Sequence, residues 1–153
     1  IFDTSGASTV YIMSLASQPS TDRIAFASHM DWPNTRLLMW TGSTWTNDIE
    51  TDAFAPGNGD QSIGVGWVGT SDVAVAVYPN NDAGAELDWY RWTPGGGWAV
   101  QTDVPITDMT NLQSVQIRNS VTQSKLLAVF SSHDDTAAPG DPKLFAATYD
   151  GAN

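Results

Sequence analysis

Apolar residues fall along this chain in short blocks, and the blocks recur. Asp22-Arg23-Ile24-Ala25-Phe26-Ala27 returns as Asp72-Val73-Ala74-Val75-Ala76-Val77 and again as Lys125-Leu126-Leu127-Ala128-Val129-Phe130, at spacings of 50 and then 53 residues. Ahead of each block stands a shorter run with period-two alternation: Thr9-Val10-Tyr11-Ile12-Met13, then Ser62-Ile63-Gly64-Val65-Gly66-Trp67, then Ser114-Val115-Gln116-Ile117. Alternation of that kind marks a strand with two unlike faces. The central block is nearly continuous in apolar side chains, which predicts a strand buried on both faces. Glycines inside a strand weaken it and mark a close approach of another backbone, so Gly64 and Gly66 predict crowding around that strand.

After each block comes a polar loop and then an aromatic-rich strand: Arg36 to Trp40, Leu87 to Trp92, Leu144 to Tyr149. Glycine-containing turns follow at Thr41-Gly42-Ser43-Thr44, Thr93-Pro94-Gly95-Gly96-Gly97 and Asp150-Gly151-Ala152-Asn153. Such turns supply the positive φ that tight hairpins need. A fourth strand starts at Trp45 and at Trp98. No segment carries helical periodicity. A unit of about 50 residues built only from short strands predicts an all-β fold of β-propeller blades, each of four antiparallel strands. The repeats run approximately 1–55, 56–106 and 107–153 within one partial propeller domain, 1–153. The third copy breaks off at its last turn, and three blades do not close a ring, since propellers use about four to eight. The expected partners are therefore further blades, either of a longer protein or of other copies. A head-to-tail arrangement that fails to close gives a filament instead.

Charge narrows the partner classes. Seventeen acidic residues against six basic ones leave a net charge of −11. Such a surface repels phosphate backbones and anionic lipid, which argues against nucleic acid. No run approaches the roughly 20 apolar residues needed to span a bilayer, so membrane insertion is not expected. Cysteine is absent, which excludes disulfides and thiolate metal sites. No signal peptide is visible at Ile1-Phe2-Asp3. Few lysines and many Thr, Ser, Asn, Gly and Trp lean towards an extracellular or cell-surface protein.

In an up-and-down blade the loops after the second and fourth strands emerge on one face. Here that face gathers the long loops: Ser28 to Asn34, Pro79 to Glu86, Ser131 to Asp141, with Pro56 to Asp60 and Thr107 to Asn111. Function concentrates on loops held by a rigid scaffold. The candidate ligand-binding residues are His29, Asp31, Trp32, Asn80, Asn81, Asp82, Glu86, His133, Asp134 and Asp135. A surface glycan or a protein is the ligand expected, and the plainer alternative is a set of wet polar loops. Asn80, Asp82 and Glu86, with Gly84 at the bend, place oxygens at alternate positions as a calcium site would. Calcium is thus the one cofactor suggested. Zinc needs three or four converging ligands, and Pro79 and Asn80 stand in the second copy where His29 and His133 stand in the others. Both histidines are therefore read as exposed loop residues. Trp40, Trp92 and Tyr149 share one repeat position, and Trp45 and Trp98 another, which points to packing between blades, with sugar stacking as the alternative.

The second copy resembles a blade of the small fucose-binding propeller lectins, through Trp67-Val68-Gly69, Val75-Ala76-Val77-Tyr78, Trp89-Tyr90-Arg91-Trp92 and Gly97-Trp98. The first copy carries a thinner version ending Trp40-Thr41-Gly42-Ser43-Thr44-Trp45. The resemblance implies the architecture and the assembly of short chains into complete rings. It does not imply the sugar site, because Ala76 and Trp89 stand near the positions of that family's sugar-binding Arg and Glu. The reading that follows is a non-enzymatic extracellular binding or adhesion module. The alternatives are a structural subunit of an extracellular assembly or filament, and a fragment of a propeller glycosidase. The last would need two carboxylates about 5 to 9.5 Å apart, from among Asp31, Asp82, Glu86 and Asp134.

Overall fold

The computed structural model describes residues 10–30, 35–51, 63–79, 86–102, 104–105, 112–132 and 143–152. These residues form three antiparallel sheets, none closed, and contain no helix. Sheet 1 is β1 (Val10–Ser17), β2 (Ile24–Met30), β3 (Thr35–Trp40) and β4 (Trp45–Thr51), in that order. Sheet 2 is β5 (Gly64–Trp67), β6 (Ala74–Pro79), β7 (Glu86–Thr93) and β8 (Gly97–Val100). A two-residue strand that the sequence pattern does not signal, β9 (Val104–Pro105), pairs with the start of β7. Sheet 3 is β10 (Leu112–Ser120), β11 (Lys125–Ser132) and β12 (Lys143–Tyr149).

Sheet 2 lies between the other two. One of its faces carries Val65, Trp67, Ala74, Ala76, Tyr78, Trp92 and Trp98 and shares a core with Ala25, Ala27, Leu37 and Met39 of sheet 1. The opposite face carries Val75, Val77 and Leu87 and shares a second core with Val115, Ile117, Leu126, Ala128 and Phe130 of sheet 3. This explains the continuous apolar run of β6, where every residue from Ala74 to Tyr78 is buried. The same expectation fails for β11. Leu126, Ala128 and Phe130 are buried, but Leu127, between them, is 38% exposed, because no described element covers that face.

The hairpins also correct the repeat spacing. Gln18 and Arg23 close the first hairpin of sheet 1 through Gln18 N–H to Arg23 O, and Val68 and Val73 close that of sheet 2 in the same way. Ser120 pairs with Lys125 in sheet 3. Leu126 therefore stands where Ala74 stands, at an offset of 52 rather than 53. A slip of one residue turns a strand over. The correct offset puts Leu126, Ala128 and Phe130 against sheet 2, not Leu127 and Val129. The aromatic equivalence survives: Trp40, Trp92 and Tyr149 pair with Ile24, Ala74 and Leu126, which hold one shared position after the first hairpin of each sheet.

The first strands meet at the crowded centre, with β5 between β1 and β10. A methyl group at Gly64 would stand 2.6 Å from Val115 Cγ1, and one at Gly66 2.4 Å from Ile117 Cγ2. Glycine there lets β10 approach the face of β5 at a distance no side chain permits. On the other flank, Val65 N–H donates to Ser14 Oγ at 3.2 Å and Trp67 Nε1 to Ala16 O at 2.9 Å. Next to these strands, the turn of sheet 2 is fastened on both sides. Gln18 Nε2 donates to Ser71 O and to Asp72 Oδ1, each at 3.0 Å, and Arg23 pairs with Asp72. From sheet 3, Asn119 Nδ2 donates to Gly69 O at 2.7 Å. Gly69 has φ +58°, and a side chain there would strike Ser124 Cα.

Gly66→Ala is expected to lower the unfolding free energy by about 1–3 kcal/mol through overpacking. In an Ile117→Ala background, which lacks the Cγ2 that the new methyl meets, the same change should cost less than it does alone, as read by denaturant titration. An unchanged midpoint in the single variant would contradict the close approach.

Candidate functional site

Of the loop-face candidates from the sequence, His29 and Glu86 fall among the described residues, and both lie in strands. β2 runs on through Met30, so His29 lies within a strand and is 5% exposed. It faces sheet 2, opposite Thr35 across the β2–β3 pair. The expectation of an exposed loop histidine is therefore wrong for His29: the strand continues past the apolar run through Ser28 and His29 and buries both polar side chains. Glu86 opens β7, where it pairs with Pro105 of β9. Asp31, Trp32, Asn80, Asn81, Asp82, His133, Asp134 and Asp135 lie outside the described residues, and so do Asn80 and Asp82 of the expected calcium loop. Among the described residues no group of three or more His, Asp and Glu is placed to hold a metal ion.

Sequence reasoning passed over a buried carboxylate. Asp88 is 7% exposed in β7, opposite Tyr78 on the face that looks toward sheet 1. His29 and Thr35 look back from sheet 1, so the two sheets enclose a polar layer at one end of an otherwise apolar core. Tyr78 stacks on Tyr90 beside it, with ring centroids 5.6 Å apart. An aspartate inside the aromatic run Leu87-Asp88-Trp89-Tyr90 was the available signal.

Three tryptophans belong to the core shared by sheets 1 and 2. Trp67, Trp92 and Trp98 are 5% exposed or less. Trp67 meets Trp92 edge to face at 6.0 Å. Among the described residues the buried Nε1 groups of Trp92 and Trp98 find no hydrogen-bond partner, so contacts of the ring rather than hydrogen bonds hold those side chains. Trp40 and Trp45 lean on each other at 5.6 Å on the outer face of sheet 1. Trp89 packs on Tyr149 at 5.2 Å, and its Nε1 donates to Thr102 O at 2.9 Å. It borders an apolar crevice of about 180 Å³ between sheets 2 and 3, with Val75, Val77, Val104 and Ala147.

The larger concavity is an open groove of about 650 Å³ where the first strands of the three sheets converge. β1 contributes Ile12 to Ser17, β5 with the residue before it Ile63 to Trp67, and β10 Ser114 to Asn119. Its polar lining includes Ser14, Ser114, Gln116, Arg118 and Asn119. The hydroxyls of Ser114 and Ser131 are 2.7 Å apart at its margin. The groove falls within the range of about 300–1,000 Å³ common for ligand sites. Nothing in the loop-centred sequence reading pointed to it; the alternate Ser and Gln positions of β10 carried the signal.

Comparison with family models, with characterised proteins and with solved structures finds no match. The two positions that the resemblance sets near the lectin-type Arg and Glu are taken up by packing. Ala76 is fully buried between sheets 1 and 2, and Trp89 is committed to Tyr149. Ala76→Arg is expected to cost at least about 3 kcal/mol, since it forces an unpaired charge into that core. It should unfold the protein or lower its midpoint sharply, with no gain of fucoside binding by titration calorimetry. A stable variant that binds fucoside would overturn this placement.

Proposed function

We propose that the three sheets are blades of a β-propeller and that the chain is a non-enzymatic binding or adhesion module, acting outside the cell on a neutral, hydroxyl-rich ligand such as a surface glycan. The observation that carries this reading is the groove where β1, β5 and β10 converge, with hydroxyl, amide and guanidinium groups along it. Support for blades comes from the up-and-down strand order within each sheet and from the first strands lying side by side. The resemblance of the second copy to propeller lectins agrees with this. So does the net charge of −11, which disfavours polyanionic ligands. No helix among the described residues is long and apolar enough to cross a membrane. The extracellular setting rests on composition.

A second reading is a structural subunit of an extracellular assembly. The outer faces of sheets 1 and 3 favour it, because Met13, Leu15 and Leu144 are more than half exposed there. Contiguous exposed apolar surface marks interaction sites.

On an array of neutral oligosaccharides the protein is expected to retain at least one glycan. Gln116→Ala, at an exposed position in the groove, should weaken that binding about tenfold, the cost of one buried polar contact, without moving the unfolding midpoint. An array with no retained glycan, or binding unchanged in Gln116→Ala, would contradict the assignment.

A further inference from the structure

The junction between sheets 1 and 2 carries a set of three side chains at its turn end. Arg23 of sheet 1 reaches Asp72 of sheet 2 at 2.5 Å. The same guanidinium lies over the Trp92 ring, 5.6 Å from its centroid. The hairpin registers give the matching positions elsewhere. Arg23 corresponds to Val73 and Lys125, Asp72 to Asp22 and Ser124, and Trp92 to Trp40 and Tyr149. At the junction of sheets 2 and 3 the set is therefore Val73, Ser124 and Tyr149, without charge. The charged set reappears only when the two outer faces are put together: Lys125 stands exposed at the turn end of β11, the central strand of sheet 3, and Asp22 and Trp40 stand on sheet 1.

The apolar positions follow the same rule. On the outer face of sheet 3, Leu127 and Leu144 occupy the places of Val75 and Leu87 of sheet 2, which packing against sheet 3 leaves only 3% and 4% exposed. Leu144 is instead 76% exposed. On the outer face of sheet 1, Met13 and Leu15 occupy the places of Ile63 and Val65, buried at 5% and 4%, yet are 63% and 61% exposed. The outer faces of sheets 1 and 3 thus each present one half of a junction that the described sheets build twice.

We propose that the outer face of sheet 3 docks on the outer face of sheet 1 of a second copy, with Lys125 meeting Asp22 over Trp40, and that two copies close into a ring of six sheets. Heterologous contacts give rings where the rotation closes, and six sheets lie within the span of about four to eight used by propellers. The contact rests on the register and the charges. The closed pair rests also on the reading of the sheets as blades. Closure completes the groove at the first strands with the same strands of the partner.

Sedimentation equilibrium of the full chain tests this. The expected species has twice the 16.4 kDa chain mass and does not grow further with concentration. Lys125→Asp or Asp22→Lys alone should raise the dimer dissociation constant about tenfold, and the two together should restore it to within about threefold, as a re-formed charge pair requires. Leu144→Glu, a change at an exposed position, should raise it at least a hundredfold with an unchanged monomer midpoint. A monomer at every concentration, or a double variant as weak as the singles, overturns the contact and leaves the blade reading standing. A mass that climbs with concentration while the charge swap still restores association overturns the closed pair and the blade reading with it.

Discussion

Everything in this protein depends on burying sheet 2 on both faces. A single antiparallel sheet can leave one face in water; sheet 2 cannot, because its central strand is apolar on both sides and its first strand is glycine where the neighbour presses closest. Burying one side chain such as Val65 or Leu87 is worth roughly 1.5–3 kcal/mol, and both faces of sheet 2 contribute on that scale. Gly64 and Gly66 are the means: they give up local strand stability so that Val115 and Ile117 reach the backbone of β5. Polar fastenings at the turn end, from Gln18 on one side and Asn119 on the other, then fix how the sheets sit.

Much of this was legible in the sequence. The all-β class, the order of strands within each unit, the aromatic positions and the crowding at the two glycines all follow from periodicity and turn chemistry. The third unit was misaligned by one residue, because Leu126 and Leu127 are both apolar and the pattern cannot say which of them faces in. Only the hairpin closure at Ser120 and Lys125 decides it. The same weakness placed the end of β2 too early and put His29 in a loop, since Ser28, His29 and Thr35 are polar and yet buried. β9 escaped for a different reason: two residues carry no period.

The candidate site was less legible than the fold. Attention went to long polar loops, whereas the described concavity is built from inner strands. A side chain such as Gln116 reads as the solvent face of a strand in the sequence. In three dimensions the adjoining strands turn that solvent face into a groove wall. The buried Asp88 shows the reverse case, a polar residue that sequence would place outside and packing places inside.

Native-state hydrogen exchange, followed amide by amide, tests the central burial most directly. With sheet 2 enclosed on both sides, the amides of β6 exchange only through global unfolding, and those of β12, at the outer edge of sheet 3, exchange through smaller openings at lower free energy. Equal protection of β6 and β12, or faster exchange in β6, would contradict the enclosure of sheet 2.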